Sequence, residues 1–145
     1  MAMFKRKAKA RKLRDLRELE ELLDDPKPIL LDFYQVGCAP CQVMDGIVNE
    51  LAAEFAGSAH IVKVDVGRVP GAAETFKVMS TPTFVLLARP KVKNTKHARK
   101  KSRQGKPNAK QAAQRKAQRW RTTGLVKKDQ LERLLVSNGA RAAAD

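Results

Sequence analysis

Apolar residues recur along the first ninety residues in alternating helical and strand patterns. From Leu13, leucines at helical spacing oppose acidic residues, which predicts an amphipathic helix that ends near Asp24, because Pro26 cannot continue it. The nearly continuous apolar run at residues 28–34 has the length of a central strand covered on both faces. Residues 42–55 return to steps of three and four, and they predict a second helix that ends near Gly57.

The same alternation continues toward the C-terminus. Residues 60–66 (HIVKVDV) and 83–88 (TFVLLA) predict two further strands, and residues 69–78 predict a short helix between them with Lys77 in its body. This βαβαβ order with short connections indicates a mainly parallel sheet flanked by helices. Residues 120–123 form a candidate strand, and leucines from Leu125 to Leu135 predict a closing helix that ends near Asn138.

The two cysteines of the chain, Cys38 and Cys41, lie three residues apart between the first predicted strand and the second helix. If the helix begins at Cys38, this spacing places both sulfurs on one face, close enough to form a disulfide. A thiolate at a helix N-terminus is stabilised by unpaired backbone N–H groups. The pattern therefore favours a redox dithiol with Cys38 as the nucleophile.

Two other interpretations of the cysteine pair remain open. Half of a zinc site needs a second ligand pair, and His60 and His97 are too far apart in sequence to supply one, so we expect no metal. Two buried structural cysteines are the other alternative. Asp32 interrupts the central strand close to the cysteines, which indicates either a buried group that handles a proton or an edge residue that faces water.

Charge divides the chain into blocks of opposite sign, although the net charge is +15. Residues 1–14 carry seven Lys or Arg and no acid, residues 15–88 carry twelve acids against five bases, and residues 89–121 carry fourteen bases and no acid. Blocks of one sign are typically solvated and available to a polyanion. The acidic domain therefore carries two basic additions.

The basic blocks are not expected to contribute to the core. Residues 1–12 predict a disordered arm, and residues 91–119 hold almost no large apolar side chain. Residues 109–119 have good helix propensity and are expected to become helical on a partner. No apolar run approaches the ~20 residues of a membrane span, no signal sequence opens the chain, and two cysteines indicate a reducing compartment.

Five stretches, in order, resemble the thioredoxin family. They are KPILLDFY at residues 27–34, CAPC at 38–41, IVKVDV at 61–66, STPTF at 80–84 and GLVKKDQL at 124–131. The resemblance covers roughly residues 13–88 and 120–137. It implies an α/β fold of the thioredoxin-like type, a central mixed sheet flanked by helices, with a long basic insertion (residues 89–119) between the last two strands and a C-terminal tail at residues 138–145.

The resemblance also implies residue roles. Cys38 is similar to the attacking cysteine and Cys41 to the resolving one. Asp32 resembles the buried acid that accepts the resolving thiol's proton, and Lys63 the lysine that accompanies it. Three residues resemble the substrate-binding surface: Thr81 with a backbone that pairs with substrate, Pro82 as a cis-proline, and Gly124 as the glycine that permits close approach.

The implied activity is that of a protein disulfide reductase without a cofactor, which acts on protein disulfides and receives electrons from a thioredoxin-reductase-like donor. We expect a cytoplasmic monomer that contacts no membrane, and the basic segments suggest association with ribosomes or the nucleoid. The sequence departs from the family at three surface positions, with Gly37 in place of the usual tryptophan, Ala39 in place of a glycine and Gly46 in place of a proline. The loss of the tryptophan at Gly37 removes a hydrophobic contact for substrates.

The basic segments resemble extensions of ribosomal and other nucleic-acid-bound proteins, and they predict salt-dependent binding to RNA or another polyanion. An alternative is a structural RNA-binding protein with little or no catalysis. A nuclear localisation signal and a role in solubility compete for the same residues. The candidate nucleic-acid-binding residues are Lys5, Arg6, Lys7, Lys9, Arg11, Lys12, Lys96, Arg99, Lys100, Lys101, Arg103, Lys110, Arg115, Lys116 and Arg119.

Overall fold

The computed structural model describes residues 8–90 and 115–143, and predictions that fall on other residues lie outside these ranges. Strands and helices alternate through most of the described chain. The elements are β1 (Arg11–Lys12), α1 (Leu16–Leu22), β2 (Ile29–Tyr34), α2 (Ala39–Glu54), β3 (His60–Asp65), α3 (Ala72–Phe76), β4 (Thr83–Ala88), β5 (Ala117–Thr123) and α4 (Lys128–Ser137).

The five strands form one mixed sheet in the order β1-β3-β2-β4-β5. Strands β1, β3 and β2 run parallel, whereas β4 is antiparallel to β2 and β5 is antiparallel to β4. The mixed sheet is confirmed, and the expectation of a mainly parallel sheet is wrong. Helix α3 has five residues and spans only about 7.5 Å, so it is not the longer crossover helix that usually joins parallel strands.

Apolar side chains pack on both faces of the sheet, as the run in β2 predicts. Because side chains alternate along a strand, Leu30 packs on one face, while Ile29, Leu31 and Phe33 pack on the other. The first face is covered by α2 and α4, and the second by α1 and α3. The largest fully buried side chains include Phe33, Phe55, Phe84, Met44, Leu51, Leu131 and Leu135.

The N-terminal boundary differs from the prediction. Arg11 and Lys12, which we assigned to a disordered arm, form β1 and pair with Val62 and Lys63 of β3. The side chains of β1 are exposed, so no apolar pattern marks the strand. It is held by backbone pairing and by the neighbouring Leu13, which is buried although it lies outside helix α1.

The C-terminal boundaries also differ. Strand β5 begins at Ala117 rather than Trp120, so the last three residues of both the predicted insertion and the predicted 109–119 helix are part of the sheet. The first three residues of this edge strand are exposed, which hides the strand pattern. Leu125 lies in the loop before α4 with 64% of its surface exposed, and Lys77 follows α3 as its C-cap. No helix within residues 8–90 and 115–143 is long and apolar enough to cross a membrane.

Candidate active site

Strand β2 leads directly into the cysteine pair at the start of α2. Cys38 is the N-cap of the helix, with extended backbone angles, and Pro40 occupies the first turn, where its missing N–H is not needed. Cys38 and Cys41 are joined by a disulfide, and the Cys41 N–H points to Cys38 Sγ at 3.3 Å. The same amide can stabilise a Cys38 thiolate once the disulfide is reduced.

The two sulfurs differ in accessibility. Cys41 is 6% exposed, whereas Cys38 is only partly buried. Cys38 is therefore the more exposed residue of the pair. The roles of attacking cysteine for Cys38 and resolving cysteine for Cys41 stay a prediction.

The loop before β4 faces Cys38. The peptide bond between Thr81 and Pro82 is cis, and Cys38 Sγ lies 3.6 Å from the Thr81 carbonyl oxygen. A disulfide sulfur has no hydrogen to donate, so this is a van der Waals approach that can become a hydrogen bond only in the thiol form. Thr81 and Pro82 thus lie beside the exposed sulfur.

Two hydrogen bonds hold this loop in place. The Thr83 hydroxyl, which is buried, donates to the Ser80 carbonyl at 2.6 Å, and the Gly124 N–H donates to the Pro82 carbonyl at 2.8 Å. Gly124 has a φ of +86°, a left-handed conformation that favours glycine. The structure therefore brings Gly124 to the loop, and it adds Thr83, a buried strand residue within the STPTF stretch to which the sequence analysis gave no role.

Asp32 is buried in the centre of β2, with 2% of its surface exposed, so it is not an edge residue that faces water. Its Oδ1 atom has no hydrogen-bond partner among the described residues. Burial raises the pKa of this carboxyl to about 7, Lys63 opposes the rise and Asp45 adds to it. Asp32 is therefore poised to exchange a proton near neutral pH.

Lys63 lies opposite Asp32 in the β2–β3 register. Its ammonium forms an ion pair with Asp45 and lies 4.6 Å above the ring of Tyr34. Sequence reasoning missed Asp45, although its position four residues after Cys41 on a helix was a signal that the two share a face. A cavity of about 250 Å³ lined by Tyr34, Cys41, Asp45 and Lys63 opens beside this pair.

Two exposed apolar side chains precede the site residues Cys38 and Thr81 by two positions each in the sequence. Val36 is 75% exposed and Met79 is 94% exposed, in the two loops that lead to Cys38 and to Thr81. Gly37 has a φ of +85°, and no atom lies within 4 Å of the position that a Cβ would take. The surface around the position of the family's tryptophan is therefore open, and its apolar character comes from neighbouring residues.

The predicted nucleic-acid-binding residues are only partly within the described ranges. Lys9, Lys12, Arg115 and Arg119 are exposed, and Arg11 forms an ion pair with Glu18 at 3.3 Å. The other candidates up to Lys110 lie outside the described residues.

The prediction that Lys116 binds nucleic acid is wrong, because its side chain is fully buried and cannot contact a polyanion. Its Nζ donates to the Leu22 carbonyl and to Asp25 Oδ1, the latter at 3.0 Å. Burial lowers the pKa of Lys116, against the opposing effect of Asp25. Within residues 8–90 and 115–143, no group of three or more His, Cys, Asp or Glu side chains is placed to hold a metal ion.

A disulfide at a helix N-terminus, with one accessible sulfur facing a neighbouring proline loop and a buried carboxyl in the preceding strand, defines the site of a thiol–disulfide oxidoreductase. The comparisons with known proteins agree. The family model for thioredoxin matches residues 12–114. The chain belongs to the thioredoxin family.

Individual relatives show how far the similarity extends. Thioredoxin-1 of Drosophila melanogaster is 40% identical over 80 residues, which cover 55% of this chain and 74% of the relative. Thioredoxin of Mycobacterium tuberculosis is 34% identical over 76 residues, or 52% of this chain and 66% of the relative. The structure of a single-residue mutant of thioredoxin from Halobacterium salinarum superposes with a TM-score of 0.65 at 24% identity, covering 90% of this chain and 91% of the other. This structural likeness supports the fold.

Proposed function

We propose that the chain is a protein disulfide reductase that is tethered to nucleic acid or a ribonucleoprotein by its basic segments. The observation that carries the redox part is the position of Cys38, whose sulfur is accessible, bonded to the buried Cys41 and 3.6 Å from the Thr81 carbonyl of the facing loop. The tether rests on the acid-free composition of residues 1–14 and 89–121.

The proposed reaction begins from the reduced dithiol. The Cys38 thiolate attacks one sulfur of a substrate disulfide, the substrate S–S bond breaks and the second substrate sulfur leaves as a thiolate that takes up a proton. Cys41, once deprotonated, attacks Cys38 Sγ in the mixed disulfide, which releases the other substrate thiolate. Two electrons pass to the substrate, and the protein is left with the Cys38–Cys41 disulfide seen in the structure.

Asp32 is the proposed acceptor of the Cys41 proton. Burial keeps its pKa near neutral, so the ionised form can take a proton and return it to solvent in the same pH range. Lys63 lies beside Asp32 and favours its ionised form, because its positive charge opposes the rise in the pKa of the carboxyl. An external dithiol donor of the thioredoxin-reductase type would restore the reduced protein.

The substrate is proposed to lie across the loop that faces Cys38. The backbone of Thr81 would pair with an extended substrate segment beside the disulfide. Pro82 and Gly124, which are joined by a 2.8 Å hydrogen bond, would form the adjacent wall. Val36 and Met79 supply the exposed apolar contacts on either side.

The redox proposal is tested by the reduction of an aromatic disulfide reagent by the purified, pre-reduced chain. We expect each wild-type chain to reduce one reagent disulfide as its own dithiol is oxidised, no reduction for Cys38→Ser, and a trapped mixed disulfide for Cys41→Ser, because Cys38 then attacks without a resolving partner. Equal, negligible rates for the wild type and Cys38→Ser would contradict catalysis.

A second function, a structural RNA-binding protein with weak or no catalysis, is favoured by one observation. Gly37, with a left-handed backbone and open surroundings, stands where the family has a large aromatic contact for substrates. In that case RNA binding would remain while the rates of wild type and Cys38→Ser coincide.

The tether is tested by salt-dependent RNA binding. The structure narrows the segment to be changed, because β5 begins at Ala117 and Lys116 is buried. We would replace the nine Lys and Arg of residues 91–114 by serine and keep the length. The expected result is a large loss of affinity and of salt dependence; unchanged binding would argue against the tether.

A further inference from the structure

A groove lies on the α1/α3 side of the sheet, between α3 and the edge strand β5. Its volume is about 520 Å³. Three exposed or half-buried cations line it: Lys77 after α3, Arg115 before β5, and Arg121 within β5. No acidic residue is part of the lining among the described residues.

The charge of these three cations is not neutralised by the described protein. Arg121 donates to the carbonyl groups of Phe76 and Lys77, which are uncharged. No carboxylate among the described residues lies within ion-pair distance of Lys77, Arg115 or Arg121. The sequence outside the described ranges contains a single acidic side chain, Asp145. The groove therefore keeps a positive charge.

The part of the chain that lines the groove from β5 is held at both ends by hydrogen bonds, from Arg121 near its end, as described above, and from Lys116 at its start. Lys116 inserts its buried ammonium between the Leu22 carbonyl and Asp25, which fixes the start of β5 and the adjacent Arg115. Within β5 the pairing with β4 shifts between Leu86 and Leu87.

The shift in pairing also sets the groove's lining. Leu86 pairs with Trp120 and Leu87 with Gln118, so Arg119 is an unpaired bulge residue. As a result Gln118 and Arg121, three positions apart, both line the groove. A regular strand would place residues three apart on opposite faces.

We propose that this groove binds the phosphate backbone of a nucleic acid, so that the folded domain itself forms part of the tether. Arg115 is an arginine, whose guanidinium fork suits phosphate oxygens. Arg121 adds positive charge, although both of its terminal nitrogens already donate to the carbonyl groups of Phe76 and Lys77. The large apolar side chains of the lining, Leu19, Leu23, Phe76 and Leu87, are buried or half-buried. None of the exposed large apolar side chains of the described chain, which could anchor a protein ligand, belongs to the lining.

The groove also offers no surface for base stacking among its described residues. Phe76 is the one aromatic residue in this lining, and its ring packs against Phe33 with 5.1 Å between centroids. Backbone contact is therefore the expected mode, and it is independent of sequence. The nine Lys and Arg residues of the segment 91–114 directly precede Arg115 in the sequence. This inference extends the tether proposed above and does not depend on the dithiol.

The test is the affinity of the full-length chain for a fluorescein-labelled single-stranded RNA 20-mer, measured by anisotropy at several salt concentrations. The variant is Lys77→Asn with Arg115→Gln. Lys77 has a φ of +53°, which asparagine tolerates. Loss of two phosphate contacts should lower the slope of log K against log salt by about 1.4, at about 0.7 per contact on a single strand.

The matched control is Lys127→Gln with Arg141→Gln, which removes two exposed cations that lie outside the groove lining. We expect its slope to equal that of the wild type. An equal loss in both double variants, or no loss in the groove variant, would overturn the proposal. In case the double variant misfolds, the single variants Arg115→Gln and Arg115→Glu are compared. Reversal of the charge at Arg115 is expected to weaken RNA binding more than its neutralisation.

Two further measurements distinguish nucleic-acid binding in the groove from general binding of polyanions and from failure of the proposed function. Poly-glutamate of matched charge should compete much less well than RNA or DNA, and equal competition would overturn the assignment to nucleic acid. Reduction of the aromatic disulfide reagent by the groove variant should stay within about twofold of wild type. Failure of the groove would leave both this rate and the effect of the nine-serine variant intact, so it is distinguishable from failure of the proposed function.

Discussion

Replacement of Asp32 by asparagine tests whether the central strand carries an ionisable group with a raised pKa. Burial raises the pKa of this carboxyl from 3.8 to about 7. The folded state therefore holds the proton more tightly than the unfolded state, and stability falls as pH rises from about 4 to about 7. At 1.36 kcal/mol per pKa unit, the full cost above pH 7 is about 4 kcal/mol. The asparagine side chain is neutral at every pH and removes this cost.

The measurement is urea unfolding of the disulfide-bonded form at constant ionic strength. Relative to wild type, Asp32→Asn should gain about 2.5 kcal/mol between pH 5 and pH 8, since part of the cost is already present at pH 5. Any pH-independent cost of burying the amide cancels in this difference. The other ionisable groups are common to both proteins.

The matched control is Glu20→Gln, which removes one exposed carboxylate on α1 and changes the net charge equally. Its stability should follow the wild-type pH profile. If the difference between Asp32→Asn and wild type stays constant within about 0.5 kcal/mol from pH 5 to pH 8, the reasoning that assigns the raised pKa to Asp32 is refuted.

Three further predictions concern the surroundings of the site and the sheet. Asp45→Asn removes an anion that raises the pKa of Asp32 and frees the neighbouring lysine, so a carbon-13 NMR titration should show a lower pKa for Asp32; an unchanged or higher value would contradict the coupling. Gly37→Ala should lower the free energy of unfolding by about 1 kcal/mol because φ is +85°, and equal stability in urea would indicate that the loop relaxes. Burial opposes ionisation of Asp25, but hydrogen bonds from its partners lower its pKa to about 2. After allowance for its 37% exposed side chain, Asp25→Asn should cost about 1 kcal/mol at pH 7, and calorimetry should show the difference shrinking from pH 4 toward pH 2.

Sequence patterns predicted an element correctly where a strand is buried on both faces or where the apolar positions of a helix are strictly periodic. The apolar run of β2 and the stripe of α2 place Asp32 and the cysteine pair in the correct elements, because a fully buried strand and an amphipathic helix each have a distinctive spacing. The family resemblance added the loop around Pro82, which no local pattern indicates. The geometry then follows from the fold, since β2, α2 and the β4 loop meet at one end of the sheet.

The features that the sequence did not reveal depend on contacts between distant residues. Edge strands β1 and β5 expose most of their side chains, so backbone pairing alone defines them. The ion pair of Lys63 with Asp45 joins two elements eighteen residues apart. Lys116 looks like any other base in an acid-free block, and only the position of Asp25, 91 residues away, shows that it is buried.

Strand β5 connects the groove to the dithiol. Arg121 binds the carbonyl groups of Phe76 and Lys77, and Gly124, three residues later, binds the carbonyl of Pro82. The loop that faces Cys38 is therefore held at both ends by one strand.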